Sequence, residues 1–110
     1  MSNSTPILSS VDDDAEVRDL YPLMAQLRPH LRSEDDFLAR WKRQSADGYR
    51  LVALFENGRP QAVAGFRMQE NLVHGRFLYF DDLVTDHEVR GRGYGERLIT
   101  YLRGQARELG

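Results

Sequence analysis

The chain has 110 residues, with 15 Lys or Arg against 17 Asp or Glu, a formal charge of −2 when the histidines are neutral. That length supports one core and leaves no room for a second domain, and the near balance of charge excludes a broad nucleic-acid or anionic-membrane surface. With no cysteine there is no disulfide, thiolate nucleophile or cysteine metal site, which fits a reducing compartment.

The start, Met1 to Pro6, has no basic region and no apolar stretch after it, so neither a secretion signal nor a membrane span is expected and a cytoplasmic protein is the default. Met1 to Thr5 reads as a frayed polar end, and Ile7 to Val11 is a short run that predicts a first strand. Asp12, Asp13 and Asp14 follow, with Asp13 and Glu16 at capping-box spacing ahead of Val17, Leu20, Met24 and Leu27, which predicts an amphipathic helix. Pro22 should kink that helix or start a new turn, and Pro29 should stop it. Consecutive acids cannot all face one ion, so the run reads as a cap and not as a metal site. Ser33 and Asp36 predict a second helix, Glu34 to about Ser45, with Phe37, Leu38 and Trp41 as its apolar residues and Gly48 just past its end. Trp41 could cover a substrate pocket, but a lone Trp on such a helix is more often a core anchor, and that is the expectation.

Leu51 to Phe55 and Ala62 to Met68 are apolar or alternating runs joined through Asn57-Gly58, a hairpin signal. Gly65 marks a bulge or a close backbone approach, and Glu70 to Gly75 turns the chain into a run that starts at Phe77. The three runs predict an antiparallel meander. His30, His74 and His87 lack paired ligand spacing, so they read as solvated loop residues and no metal is expected.

The stretch from Phe77 to Leu102 carries the chemistry. An apolar run meets Asp81 and Asp82, continues through Leu83 and Val84, and reads as a buried strand with charge at one point. After an acidic loop come Arg90, Gly91, Arg92, Gly93, Tyr94 and Gly95, and then Tyr94, Leu98, Tyr101, Leu102 and Leu109 follow helical spacing. Three glycines on alternate positions uncover backbone N–H groups and admit positive φ, while the helix adds unpaired N–H groups and a positive dipole end. This is an anion cradle, and Arg90 and Arg92 suit it to a phosphate or pyrophosphate. The same spacing is also met by a tight turn whose glycines only let a helix start close to a strand. A dinucleotide fingerprint fails because Glu96 stands where its last glycine belongs, and no Gly-Lys-Ser or Gly-Lys-Thr exists for a Walker loop.

With Arg90, Gly93 and Gly95 in place, the loop resembles motif A of the GNAT N-acetyltransferases, which reads Arg or Gln, any, any, Gly, any, Gly or Ala. The strand before it, with acids ahead of a Leu-Val pair, is similar to that family too. The order β, α, α, β, β, β, glycine loop, α matches the family up to the end of its motif A helix. The resemblance therefore covers nearly the whole chain and implies an α+β fold, an antiparallel meander sheet with helices packed on it, in which residues 1–110 form a single domain.

By the same resemblance, Arg90, Gly91, Arg92, Gly93, Tyr94, Gly95 and Glu96 would bind the pyrophosphate of acetyl-CoA, the co-substrate. The backbone of Leu83, Val84 and Thr85 would face its pantetheine arm. A main-chain N–H near Leu83 or Val84 would polarise the thioester carbonyl. An alkyl amine is mostly protonated at neutral pH, so a carboxylate acting directly or through water would help remove its proton. Asp81 and Asp82 are the catalytic candidates. The run around them is similar to the spermidine/spermine acetyltransferases, which carry Glu-Asp there, and the alignment ranks Asp81 first. Neighbours on a regular strand point to opposite faces, so at most one of the two is expected at the amine. Capping of backbone donors or pairing with an arginine would account for both acids equally well.

The family fold continues past this helix with a strand, a helix that often supplies a tyrosine acid, and a hairpin, whereas this sequence stops at Gly110. The expectation is the N-terminal portion of the fold, truncated after the motif A helix: a fragment, a sheet completed by a second copy, or a half-built cofactor site. Two functions follow. One is an acetyl-CoA-dependent N-acetyltransferase acting on a primary amine of a small molecule or peptide. The other is a truncated, non-catalytic CoA-binding or protein-interaction module. An unpaired edge on the Phe77 strand predicts a homo-oligomer, most simply a two-fold dimer, and no nucleic-acid or membrane partner is expected.

Overall fold

The computed structural model describes residues 5–109, without the side chains of the last of them, so the reading of a frayed Met1 to Thr5, Thr5 itself apart, and the side chain of Leu109 on the apolar face of the last helix lie outside the described residues. Strand β1, Ile7–Val11, leads to α1, Asp14–Asp19, and α2, Tyr21–Leu27. The Asp13 carboxylate accepts from the Glu16 N–H at 2.8 Å and so satisfies one open donor of the first turn. What the apolar spacing predicts as one helix is two. Pro22 has no N–H to give a preceding carbonyl, so the chain breaks at Leu20 and restarts with the proline in the first turn of α2. Helix α3, Glu34–Ser45, starts at Ser33, whose hydroxyl accepts from the Asp36 N–H at 3.1 Å.

Strands β2, Arg50–Glu56, β3, Arg59–Asn71, and β4, Gly75–Thr85, follow, then a short 3-10 turn, His87–Val89, and α4, Tyr94–Leu109. Asn57 and Gly58 both take positive φ, +56° and +75°, the conformation whose twist matches a two-residue hairpin. The sheet order is β1-β2-β3-β4 with every pair antiparallel, the meander of an α+β fold.

Both faces of the sheet are covered. Alternation along β2 sends Leu51 and Ala53 to the face where Val17, Leu20, Met24 and Phe37 of the first three helices pack, and Val52 and Leu54 to the face of Leu98 and Leu102 from α4. Leu54 and Leu98 are fully buried. Cutting either to Ala should cost about 2–5 kcal/mol, a large share of the stability of a small domain.

Two irregularities prepare the site. First, β3–β4 pairing slips between Gly65 and Phe66: Gly65 stands opposite Asp82 and Phe66 opposite Phe80, which leaves Asp81 as an extra residue on β4. The extra residue breaks the alternation expected of a regular strand, so Asp81 and Asp82 do not point to opposite faces. Second, β4 is the last strand of the sheet. Among the described residues no strand lies beside its outer edge, where every second N–H and C=O points away from β3, and Leu83 stays 36% exposed.

Candidate active site

The glycine loop is built from main chain. The Gly93 carbonyl accepts from the Arg97 N–H at 3.1 Å, so Tyr94, Gly95 and Glu96 open the helix and their N–H groups have no intrahelical acceptor. Gly91 and Gly93 have φ of +91° and +79°, and nothing lies within 4 Å of a Cβ placed on either. Glycine is required there by the sign of φ and not by crowding. A Cβ on Gly95 would stand 3.3 Å from Thr85 Oγ1, so the start of α4 sits close against the end of β4. These residues, with Thr85, Arg90 and Glu96, line an open concavity of about 450 Å3. Tyr94 contributes backbone only, because its ring is buried and its hydroxyl donates to Glu56 at 3.0 Å. Arg90 Nε reaches the Thr85 carbonyl at 3.4 Å, and among the described residues Arg92 is held only by a 4.0 Å contact with Glu56, so both guanidinium groups can turn toward an anion. Unpaired N–H groups, a helix N-terminus and two arginines against one acid make the concavity a fit for a diphosphate.

The acids form a second cluster, on the face of the sheet that carries α1 to α3. Asp82 Oδ1 accepts from Arg28 Nε at 2.9 Å, and its Oδ2 accepts from the Tyr49 hydroxyl at 2.6 Å. Asp81 Oδ2 accepts from Arg67 Nε at 2.9 Å, and the Arg67 guanidinium stands 5.2 Å over the Tyr49 ring while its other arm donates to Gln44. Arg28 also donates to the Asp81 carbonyl at 3.1 Å. Both carboxylates therefore converge on Tyr49, which the bulge makes possible by turning two successive side chains to one side.

Burial first, and then the hydrogen bond and charge of Asp82, push the Tyr49 phenol far above its ordinary range, so it remains a donor to that carboxylate. The room for this hydroxyl comes from Gly65. A Cβ there would collide with the Tyr49 oxygen and stand 2.5 Å from its Cζ. Of the two meanings the sequence leaves open for Gly65, the bulge and the close approach, both are present.

Beside Asp82, a cavity of about 110 Å3 opens between the helices and the sheet, walled by Arg28, His30, Arg40, Trp41 and Tyr49. Trp41 is half-buried, packed against the core on one side and forming cavity wall on the other, so core anchor and pocket wall are both true of it. Asp82 lines this cavity and Asp81 does not. The arginine pairing that could explain both acids is also present, so pairing and a place in the cavity wall coincide in Asp82.

Sequence reasoning missed Tyr49, Arg28 and Arg67. They lie 33, 54 and 14 residues from the acids they bind, and only the pairing register brings them together. Gly65 was the one local signal of them. Among the described residues no three His, Cys, Asp or Glu side chains group as metal ligands, and no helix is long and apolar enough to cross a membrane.

Residues 15–110 match the acetyltransferase (GNAT) family. Over 91 residues the chain is 35% identical to an uncharacterized N-acetyltransferase of Bacillus subtilis (strain 168), YhdJ. That match takes in 82% of this chain and 63% of the relative, so the chain spans less than two thirds of the relative's length. A GNAT family acetyltransferase of Staphylococcus aureus superposes with a TM-score of 0.82 at 21% identity, covering 96% of this chain and 80% of that one. An aminoglycoside N-acetyltransferase in complex with CoA gives 0.81 at 18% identity, covering 99% and 74%. Identities this low speak for the fold, whereas the family match and the Bacillus relative carry the assignment: the chain belongs to the acetyltransferase (GNAT) family.

Proposed function

We propose that the chain acts as an acetyl-CoA-dependent N-acetyltransferase on a primary amine of a small molecule or peptide. The observation that supports it best is the Arg90 to Glu96 loop, where two positive-φ glycines and the open N-terminus of α4 face a concavity at the end of β4. A neighbour of the same fold is described in complex with CoA. In this reading the loop N–H groups, with Arg90 and Arg92, hold the pyrophosphate. The free edge of β4 at Leu83, Val84 and Thr85 pairs with the pantetheine arm, and a main-chain N–H there holds the oxygen of the thioester carbonyl as charge builds on it. Acetyl-CoA supplies the activated acyl group.

The chain's own part in the chemistry is to deliver a neutral amine. Asp82, in the wall of the cavity, attracts the ammonium form and passes its proton to solvent directly or through water. The amine nitrogen then bonds to the acyl carbon, the carbon–sulfur bond breaks, and CoA leaves with the sulfur electron pair, taking up, directly or through water, the proton that the new amide nitrogen sheds. Asp81, tied to Arg67, orients the strand and the tyrosine. This reverses the ranking that alignment gives the two acids.

The open edge of β4 favours a second reading, a CoA-binding module that pairs with another chain and does no chemistry, and the same edge favours a homodimer. Calorimetry with acetyl-CoA, followed by thiol release across a panel of primary amines, separates the two. Binding with turnover supports the enzyme, binding without turnover supports the module, and no binding removes both.

A further inference from the structure

We infer that the cavity beside Asp82 selects a small amine that also carries an anionic group, a carboxylate or a phosphate, and disfavours polyamines, with Arg40 as the residue that reads the anion. The inference rests on the reading of this cavity as the acceptor site. It begins from an imbalance in how the arginines are used. Arg28 is spent on Asp82 and on the Asp81 carbonyl. Arg67, on the same face, is spent on Asp81 and Gln44. Arg40 is different: among the described residues its only hydrogen bond runs from Nε to Asp36 Oδ1 at 3.0 Å, so both terminal amino groups of its guanidinium are uncommitted.

That arginine is also held in place. Asp36 is fixed from two sides, by the Arg32 N–H at 3.0 Å and by Arg40 itself, and these two, in that order, keep its carboxyl below the usual carboxylate range. An arginine anchored through Nε presents its outer fork as a rigid pair of donors, the geometry that suits carboxylate or phosphate oxygens. Arg40 lines the same cavity as Asp82. One wall therefore offers an acid to an ammonium group, and another offers an unspent guanidinium to an anion.

Charge narrows the class further. The cavity, about 110 Å3, opens to solvent, so it reads the end of a ligand that enters it. Two arginines and one aspartate form its charged lining, so a second ammonium group on the ligand would face Arg28 or Arg40 without a free carboxylate to meet it. The strand sequence around Asp81 and Asp82 is similar to polyamine acetyltransferases, but a polycation suits this lining poorly. A zwitterionic amine of short reach meets both walls.

Trp41 is the single tryptophan of the chain and lines the cavity, so its fluorescence reports occupancy without turnover. The probes are β-alanine, phosphoethanolamine, ethanolamine and 1,3-diaminopropane, which share an aminoethyl end and differ in the far group. At least one anionic probe should bind about tenfold or more tighter than ethanolamine, as expected for a charge-assisted hydrogen-bond pair, and the diamine should bind weakest. Whichever of the two anionic probes binds tighter identifies carboxylate or phosphate as the recognised group. Arg40→Gln should bring the anionic probes down to the level of ethanolamine. Arg40→Lys, which keeps charge but loses the fork, should retain part of the preference and answers the question if the glutamine variant does not fold. A diamine that binds as tightly as the anionic probes, an anion preference unchanged in Arg40→Gln, or no Trp41 response to any probe overturns the inference. Thiol release with acetyl-CoA is followed in parallel. Arg40-dependent binding of an anionic amine without acetylation would leave the inference standing and remove the transferase reading instead.

Discussion

The glycine loop and the Tyr49 cluster use opposite means. The loop is a run of consecutive residues from Arg90 to Glu96 whose working groups are main-chain N–H donors, and each glycine is there for its own φ or for the strand beside it. The cluster joins the residue after α2, the residue before β2, and strands β3 and β4, and its working groups are side chains bound to partners as far as 54 residues away. A site made of backbone leaves its mark in the local sequence, because glycine spacing and helix starts are local demands. A site made of side chains leaves almost none, because its members meet only through the register of the sheet.

The comparison is most easily broken at Gly93. Its φ of +79° is strained for any β-branched residue, and a side chain would also stand where N–H groups face the concavity. Gly93→Val should weaken CoA binding on the order of a hundredfold, since several charge-assisted hydrogen bonds are lost together. Calorimetry on a variant with wild-type circular dichroism checks it, and full affinity in a folded variant would show that the loop is only a tight turn.

The two acids sharpen the other half. Asp82→Asn should lower kcat/KM for the acceptor by about a hundredfold, as for loss of a positioned base, with CoA affinity unchanged. Asp81→Asn should cost only a few-fold, because Arg67 keeps its stacking on Tyr49 and its bond to Gln44. Steady-state kinetics on both variants decides the ranking. The opposite order would restore the choice that alignment makes and would place the amine on the Arg67 side of the cluster.

How much of this was legible follows from particular residues. Asp13 with Glu16, Ser33 with Asp36 and Asn57-Gly58 each satisfy a local backbone requirement, and the elements they predict form where they predict them. The break at Leu20 was half legible, since Pro22 announces a kink or a new turn but does not say which of the two forms. The faces of Asp81 and Asp82 were not legible. Alternation holds for a regular strand, and the extra residue that defeats it is a property of how β4 pairs with β3, which no periodicity in β4 alone records.

Gly65 connects the local and the non-local. Gly65→Ala keeps an unstrained backbone but drives a methyl group into the Tyr49 hydroxyl and ring. Overpacking of this kind should cost about 1–3 kcal/mol, and the displaced tyrosine should lower kcat/KM as well. Urea unfolding and kinetics on the one variant test both effects. A neutral substitution would mean that Tyr49 can leave Asp82 at no cost, which would sever the cluster from the site.

The smallest effect is a pH dependence, and its sign can be worked out. The phenol of Tyr49 is raised in the folded chain above its unfolded value of about 10, by burial and then by Asp82. The stability that goes with this protonated form is fully present below about pH 10 and is lost as pH rises beyond it, because the unfolded chain releases that proton first. The other four of the chain's five tyrosines also titrate in alkali, so the informative quantity is the difference between wild type and Tyr49→Phe. At neutral pH the variant should be less stable by about 1 kcal/mol, the worth of a hydrogen bond to a charged group less some rehydration of Asp82 through the cavity. Above about pH 10 that difference should shrink, by up to about 1.4 kcal/mol per pH unit, and then reverse, because only the wild type has this proton to lose. Urea midpoints from pH 7 to pH 11 measure it. A difference that stays constant across that range would mean that Tyr49 ionises alike in the folded and unfolded chain, and the cluster would then be a solvated surface contact, no more buried in its chemistry than the glycine loop.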